Sequence, residues 1–273
     1  MLTQTEKGDH FRQLHQRPQA FIIPNPWDIG TARILAHLGF AALATTSAGY
    51  AFSRGQRDNT IDRDQMLMHT KEIAEATDLP VSADLENGFA DAPDAIAETV
   101  RLAAATGLVG CSIEDMSKDA NQPIYDFAFA VERVRAASEA ARALPFTFTL
   151  TARAENYLVG RPDINDTIRR LQAYQEAGAE VLYAPGLKSK ADIVSVVSSV
   201  DRPVNVVMGL QGVQLSLAEL SEIGVKRISV GSALSRAAFG AFLRAAEEMR
   251  THGTFTFADE AVSYKDLSAM FNE

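Results

Sequence analysis

Short apolar runs recur along the chain at 20–23, 41–45, 81–83, 109–113, 146–150, 181–183, 204–208 and 228–230, most of them continuous and rich in Val, Ile or Phe. Unbroken runs of this length suit strands buried on both faces of a parallel sheet. Between them the apolar positions change to a 3.6-residue period. The segments 31–38, 92–106, 165–177 and 215–223 read as helices and stop at Gly39, Gly107, Gly178 and Gly224. Glycine there can take the left-handed turn that ends a helix. In the second segment Ile96, Val100, Leu102 and Ala103 share one face. A strand follows each stop, so the repeated unit is helix, glycine, strand, polar loop.

Eight such copies predict an α/β protein of the (β/α)8 TIM-barrel type. An open nucleotide-binding sheet fits less well, because no G-x-G-x-x-G opens a helix after an early strand and no G-x-x-x-x-G-K-[ST] is present. Segments 237–252 and 257–271 read as two further helices. One closes the barrel; the other is surplus and free to pack on a neighbouring subunit. With no linker, low-complexity tract or charge block in 273 residues, one barrel domain over 1–273 is expected, with 237–273 as C-terminal helices.

Composition narrows the classes of function. Lys and Arg number 26 against 35 Asp and Glu, a net charge of −9, which argues against a nucleic-acid partner held by a basic face. The single cysteine, Cys111, cannot form an intrachain disulfide and reads as a small buried hydrophobe. No basic start with an apolar run marks a signal peptide, and no stretch approaches the roughly 20 apolar residues of a membrane span. The expectation is a cytoplasmic protein with neither nucleic-acid nor membrane partners.

In a (β/α)8 barrel the active site is built from residues just after the strands. Those positions offer Asn25, Trp27 and Asp28, then Thr45, Thr46, Ser47, Gly49 and Tyr50, then Asp84, Glu86 and Asn87. Glu114 and Asp115 follow, then Arg153, Glu155 and Asn156, and later Tyr183, Pro185, Asn205, Met208, Gly231 and Ser232. Asp84 and Glu86 are two apart and share a strand face; Glu114 comes from the next strand. Carboxylates converging at one mouth repel unless a cation or protons intervene, and hard oxygen donors favour Mg²⁺ or Mn²⁺. The five histidines fall in helices or near the termini, so a histidine zinc site or a Ser–His–Asp triad is hard to build. Taken singly, each acid reads equally well as a helix cap, and Arg153 as an ion-pair partner. The segment 45–50 presents backbone N–H groups and the Ser47 hydroxyl to an anion, or else forms an ordinary turn with a capping serine.

The motifs Asn25-Pro26-Trp27-Asp28, Thr45-Thr46-Ser47-Ala48-Gly49, Asp84-Leu85-Glu86-Asn87-Gly88-Phe89, Ser112-Ile113-Glu114-Asp115 and Thr151-Ala152-Arg153-Ala154-Glu155 stand at successive strand ends. In this order they resemble the isocitrate lyase/phosphoenolpyruvate mutase superfamily, over about residues 21–236. The resemblance implies that Ser47 and the backbone at Gly49 and Tyr50 hold the carboxylate and oxo group of a 2-oxo acid. It implies Asp84 as a direct Mg²⁺ ligand, also at the substrate, with Glu86, Glu114 and Asp58 holding the ion largely through water. It implies Arg153 as the cation on the substrate anion. Trp27 and Asn205 join the expected substrate-binding set from their places at strand ends. Family members exchange the last helix between subunits in homodimers or homotetramers, the arrangement expected of the surplus helix here.

The departures are equally informative. Lyases of that family carry a lid cysteine after strand four, whereas residues 114–125 contain neither Cys nor His. The phosphonomutase type uses Lys and Asn there, so Lys118 and Asn121 become catalytic candidates beside Glu114 and Arg153, at a shorter spacing than in that type. The strand-three pair is Asp/Glu in place of Asp/Asp. The expected function is a Mg²⁺-dependent lyase or decarboxylase acting on a small 2-oxo (di)carboxylate through an enolpyruvate-like intermediate. Phosphonopyruvate hydrolysis or phosphoenolpyruvate phosphonomutation is one alternative, and a non-catalytic 2-oxo acid binder is another.

Overall fold

The computed structural model describes residues 2–271. Its eight strands are β1 (Phe21–Ile23), β2 (Leu43–Ala44), β3 (Val81–Asp84), β4 (Gly110–Glu114), β5 (Thr149–Arg153), β6 (Val181–Tyr183), β7 (Val204–Val207) and β8 (Arg227–Ser229). They pair in parallel in the order β1-β8-β7-β6-β5-β4-β3-β2. The remaining seam is bridged where the amide of Ala44, on β2, donates to the carbonyl of Pro24, just after β1, at 3.0 Å. Helices separate consecutive strands, and the result is the (β/α)8 barrel that the alternating pattern predicts.

One set of strand side chains, including Leu43, Val81, Ala83, Leu150, Ala152, Leu182, Val206 and Ile228, joins Ile73, Val100, Val134, Leu171 and Val196 of the helices in a single buried cluster. Each fully buried aliphatic side chain there contributes about 1.5–3 kcal/mol. The alternate set is different in kind. Ser82, Ser112, Thr149, Thr151, Asn205 and Ser229 are buried, small and polar, where barrels of this type ordinarily stack bulky aliphatic layers. The bore therefore stays open beneath the mouth.

This polar interior explains the largest displacement from expectation. β5 runs over Thr149–Arg153 and not over 146–150. Its inward positions are Thr149, Thr151 and Arg153, so an apolar run marks the approach to the strand instead of the strand. Register settles the placement, pairing Gly110 with Thr149 and Glu114 with Arg153. β2 is likewise shorter than the apolar run at 41–45.

At the strand starts, the helix Gln4–Gln16, opened by a capping box between Thr3 and Glu6, packs Phe11 and Leu14 against Phe21, Ile23 and Val109. The expected helix 257–271 is two pieces: a 3₁₀ turn at Thr256–Glu260 and a helix at Tyr264–Ala269. Extended backbone at Ala261 ends the first, and the Ser263 side chain, accepting from the Asp266 amide, starts the second. The preceding helix, Ala233–His252, buries only Ser235 among its 20 residues. Its Phe242 and Leu243 are 68% and 64% exposed, an apolar face this chain does not cover. Among the described residues no helix is long and apolar enough to cross a membrane.

Candidate active site

A cavity of about 350 Å³ opens at the C-terminal ends of the strands, and strand or post-strand residues around the whole barrel line it. Its centre is Arg153. The guanidinium pairs with Asp84 through Nη1 at 2.8 Å, with Glu114 through Nη2 at 2.9 Å and with Glu155 through Nε at 2.8 Å. Burial alone would lower the Arg153 pKa, but the charges of Glu114, Glu155 and Asp84 outweigh it and hold the group well above its ordinary range. Burial in turn pushes the Glu114 and Glu155 carboxyls up, against the pull of Arg153. Three acids thus pin one cation, and the cation keeps the acids together.

Asp84 links the neighbouring strand ends. Its carboxylate accepts from Ser47 Oγ at 2.8 Å, the Ser47 amide at 3.3 Å and Ser112 Oγ at 3.4 Å, while its own amide donates to Thr45 Oγ1 at 3.0 Å. Asp58 sits exposed at the rim, where partial loss of hydration and then the charge of Asp84 raise its carboxyl.

Glu86 stands apart from these acids. It is 3% exposed, and neither carboxylate oxygen has a hydrogen-bond partner. Burial first, then the charges of Asp84 and Asp58, push its pKa up to about 8. Its backbone is left-handed at φ +49°, as is Phe89 at +58°, a conformation that costs a non-glycine residue about 1–2 kcal/mol. The clamp is Arg133, which donates to the carbonyls of Asn87, Ala90 and Asp91 and lies 4.0 Å from the Tyr125 ring centre. A buried loop held in this way points an unsatisfied carboxylate into the cavity.

Beneath the mouth, Asp115 organises the second half of the site. It accepts from the Glu155 amide at 2.8 Å, from Arg170 Nη1 at 3.1 Å and from the Tyr174 hydroxyl. Arg170 also reaches Asp166 at 2.7 Å. The loop carrying Glu155 is fixed through this network.

Of the residues expected at the site, Ser47, Asp58, Asp84, Glu86, Glu114, Arg153 and Asn205 line the cavity together. Others do not. Segment 45–50 is no anion cradle at Gly49 and Tyr50, because both amides are already committed. Thr46 caps the helix Ser47–Ser53, taking the Gly49 amide on its side chain at 3.1 Å and the Tyr50 amide on its carbonyl at 3.0 Å. Gly49 instead permits close packing: a Cβ there would lie 2.5 Å from Thr46 Cγ2 and 3.3 Å from Trp27 Cβ. Trp27 lies behind this turn, outside the cavity lining, and Tyr50 stacks on His69 at 3.8 Å. Lys118 and Asn121 are exposed on a turn within the bridge Met116↔Ile124, where Ser117 and Asp119 bind the turn's own backbone. The charge of Lys118 is felt at Glu86, but neither side chain lines the cavity.

Asn205 lines it with its amide engaged, accepting from Arg227 Nε at 2.8 Å and donating to Ser229 Oγ at 3.0 Å. Glu155, read above as a strand-end residue without an assigned role, and Arg227, which was not among the strand-end candidates, also line the cavity. For Arg227 the signal was an arginine heading the apolar run at 228–230.

Whether the acids suit a divalent cation can be judged from Glu86. Its orphaned oxygens are hard donors facing a polar cavity that also holds Asp84, Glu114 and Asp58. Among the described residues no three such side chains converge closely enough to share an ion directly. An ion held here would keep much of its water shell, as Mg²⁺ characteristically does. On those terms the residues fit.

Comparison with known proteins adds an independent line. The profile described as phosphoenolpyruvate phosphomutase matches residues 11–250. A crystal structure from Burkholderia cenocepacia J2315, with the provisional description lyase/mutase, superposes with a TM-score of 0.97 at 63% identity, covering 99% of this chain and 97% of that one. An uncharacterised protein of Mycobacterium tuberculosis is 32% identical over 228 residues, 81% of each chain. The oxaloacetate decarboxylase of Pseudomonas paraeruginosa is 27% identical, covering 85% of this chain and 81% of its own. Further relatives, at 25–28% identity, are named 2-methylisocitrate lyase and 2,3-dimethylmalate lyase.

Proposed function

Because the chain belongs to the phosphoenolpyruvate phosphomutase family, within the isocitrate lyase/phosphoenolpyruvate mutase superfamily, we propose that it is a Mg²⁺-dependent lyase or decarboxylase of a small 2-oxo acid. The observation that carries this reading is Glu86, a strained and buried carboxylate with no partner of its own, aimed at a cavity already holding Asp84, Glu114 and Arg153. The named relatives are lyases and a decarboxylase, which supports the same class.

Asp84, Glu86, Glu114 and Asp58 would hold the cation, and Mn²⁺ suits the same donors. When bound, such an ion draws electron density from the carbonyl as the bond alpha to it breaks. Ser47, whose hydroxyl and amide both donate to Asp84, would orient that carboxylate at the mouth. Arg153 supplies fixed positive charge already paid for by its three acids, so it need not reorganise as negative charge develops nearby.

The lid favours the least demanding chemistry. In decarboxylation the electron pair of the breaking C–C bond would form a C=C bond to the carbonyl carbon, the carbonyl π pair would move onto its oxygen, CO₂ would depart, and water would return a proton to carbon of the enolpyruvate-like product. No protein base is required. Cleavage of a hydroxy acid needs a base for the hydroxyl, and C–P chemistry needs a phosphoryl acceptor or a placed water. Lys118 and Asn121 lie on an exposed turn outside the cavity, so neither serves in the arrangement described. The same placement favours a second reading, a binder of 2-oxo acids without turnover.

We further propose one barrel domain per chain, cytoplasmic, assembling as a homodimer or homotetramer through the uncovered face of Ala233–His252. The functional test is pyruvate release from oxaloacetate, phosphonopyruvate and branched 2-hydroxy diacids, with Mg²⁺ and with EDTA. EDTA-sensitive release from one of them, abolished in Asp84→Ala, supports the enzyme. Metal-dependent oxalate binding with no product from any of them would replace it by the binder.

A further inference from the structure

One inward row at the strand ends runs Glu114, Arg153, Tyr183, Asn205 and Arg227, each in register with the next. Its second half is joined by hydrogen bonds of fixed direction. An arginine can only donate, so Arg227 Nε, at 2.8 Å, makes Asn205 Oδ1 an acceptor. The Asn205 amide nitrogen is then the donor, to Ser229 Oγ at 3.0 Å. With that oxygen accepting, the Ser229 proton is left to give, and the group it faces is the Tyr183 hydroxyl. There the chain ends. Tyr183 is half-buried and lines the cavity, and among the described residues its own proton has no acceptor. Arg153 stands on the other side, its Cζ 5.2 Å from the ring centre.

Burial raises the Tyr183 phenol to about 12, against the pull of the Arg153 charge and the Ser229 hydroxyl, so it keeps its proton at neutral pH. Among the described residues no cysteine, lysine or histidine lines the cavity. Its other hydroxyls belong to serine and threonine, weaker acids than a phenol, and those of Ser47 and Ser112 are spent on Asp84. Its carboxyls are the proposed cation ligands or, for Glu155, bonded to Arg153. Resting on the decarboxylase reading above, we propose that Tyr183 is the catalytic acid that protonates carbon after CO₂ has left. The enolate oxygen pair restores the carbonyl, and the C=C pair takes the proton as a new C–H bond. The breaking O–H bond leaves its pair on the Tyr183 oxygen, where Arg153 offsets the charge. Water then reprotonates the phenolate and releases hydroxide to the solvent, so water remains the net proton source and Tyr183 fixes where the proton enters. Asn205 and Ser229 act as positioning residues, turning the phenol proton away from the wall.

The test follows CO₂ and pyruvate in parallel while the full chain with Mg²⁺ turns over oxaloacetate, the protein-free Mg²⁺ rate being subtracted. The wild type should form pyruvate in step with CO₂. A placed acid is worth about 10²–10⁴-fold, so in Tyr183→Phe carbon protonation should fall to its rate in solution. Enolpyruvate is then released, and pyruvate lags behind CO₂. A merely structural role would slow both products together and create no lag. Tyr183→Leu takes the place of the phenylalanine variant if that one lacks a native melting transition. A lag in the wild type overturns the assignment irrespective of any variant, and so does pyruvate in step with CO₂ in the folded variant. Loss of CO₂ release in the folded variant would put Tyr183 at bond cleavage and overturn it as well. Each of these leaves the decarboxylase reading standing. Absence of metal-dependent CO₂ release by the wild type overturns that reading and the assignment with it.

Discussion

Replacing Glu86 by glutamine should make the metal-free protein more stable and the metal-loaded protein less so. Burial raises this carboxyl from 4.5 to about 8. The folded state therefore binds a proton that the unfolded chain releases between those values, and stability falls as pH rises through that window. At 1.36 kcal/mol per pH unit, the charge-burial penalty at pH 7 is about 3 kcal/mol. Glutamine removes that penalty but leaves an amide with no hydrogen-bond partner in the same place, which returns about 1–2 kcal/mol. The net gain in EDTA is about 1–2 kcal/mol at pH 7, and it grows towards pH 8. Mg²⁺ at a hundred times its dissociation constant adds about 2.7 kcal/mol to a protein that binds it only when folded, and the variant should lose most of that. Urea denaturation of both proteins, in EDTA and in Mg²⁺, between pH 5 and 8.5, measures all three quantities. A variant less stable than wild type in EDTA, or equal stabilisation of both proteins by Mg²⁺, would falsify this account of Glu86.

Other perturbations probe the frame around the site. Asp115→Asn leaves Arg170 short of a buried counter-charge and should cost about 3–5 kcal/mol, read from the urea midpoint; a loss below 1 kcal/mol would mean that Asp166 alone suffices. His69, stacked on Tyr50, is held neutral by burial with its pKa lowered to about 4. The unfolded chain thus holds more protons between pH 6.5 and 4, stability falls as pH drops through that window, and His69→Phe should flatten the fall. A Cβ at Gly110 would meet the Thr149 carbonyl at 2.7 Å and Phe11 Cε1 at 3.1 Å, so Gly110→Ala should cost about 1–3 kcal/mol in thermal unfolding. Phe242→Asp with Leu243→Asp should turn a homodimer or homotetramer into monomer in sedimentation, whereas a wild-type chain already monomeric refutes the proposed assembly.

The chain's local code carried a large part of this architecture. Apolar runs and glycine stops announce eight repeats because burial on two faces demands unbroken aliphatic strands, a one-dimensional signal. The same logic failed at β5, where Thr149, Thr151 and Arg153 face inward and the strand reads as polar. It failed again at 257–271, where Ser263 restarts a helix that periodicity would have continued.

The mouth acids were legible for a related reason. Spacing along a strand puts Asp84 on the bore, and β3 and β4 are neighbours in any right-handed barrel. What spacing does not carry is which groups satisfy one another. That Arg153 is held by three carboxylates while Arg227 has none among the described residues, and that Lys118 stays outside, depend on distances between residues far apart in the chain. Periodicity and turn chemistry act over a few residues, so they specify strands, stops and the face on which a side chain lies. Hydrogen bonds and ion pairs are exclusive and directional, so only the closed barrel decides which polar group on that face remains free for a ligand.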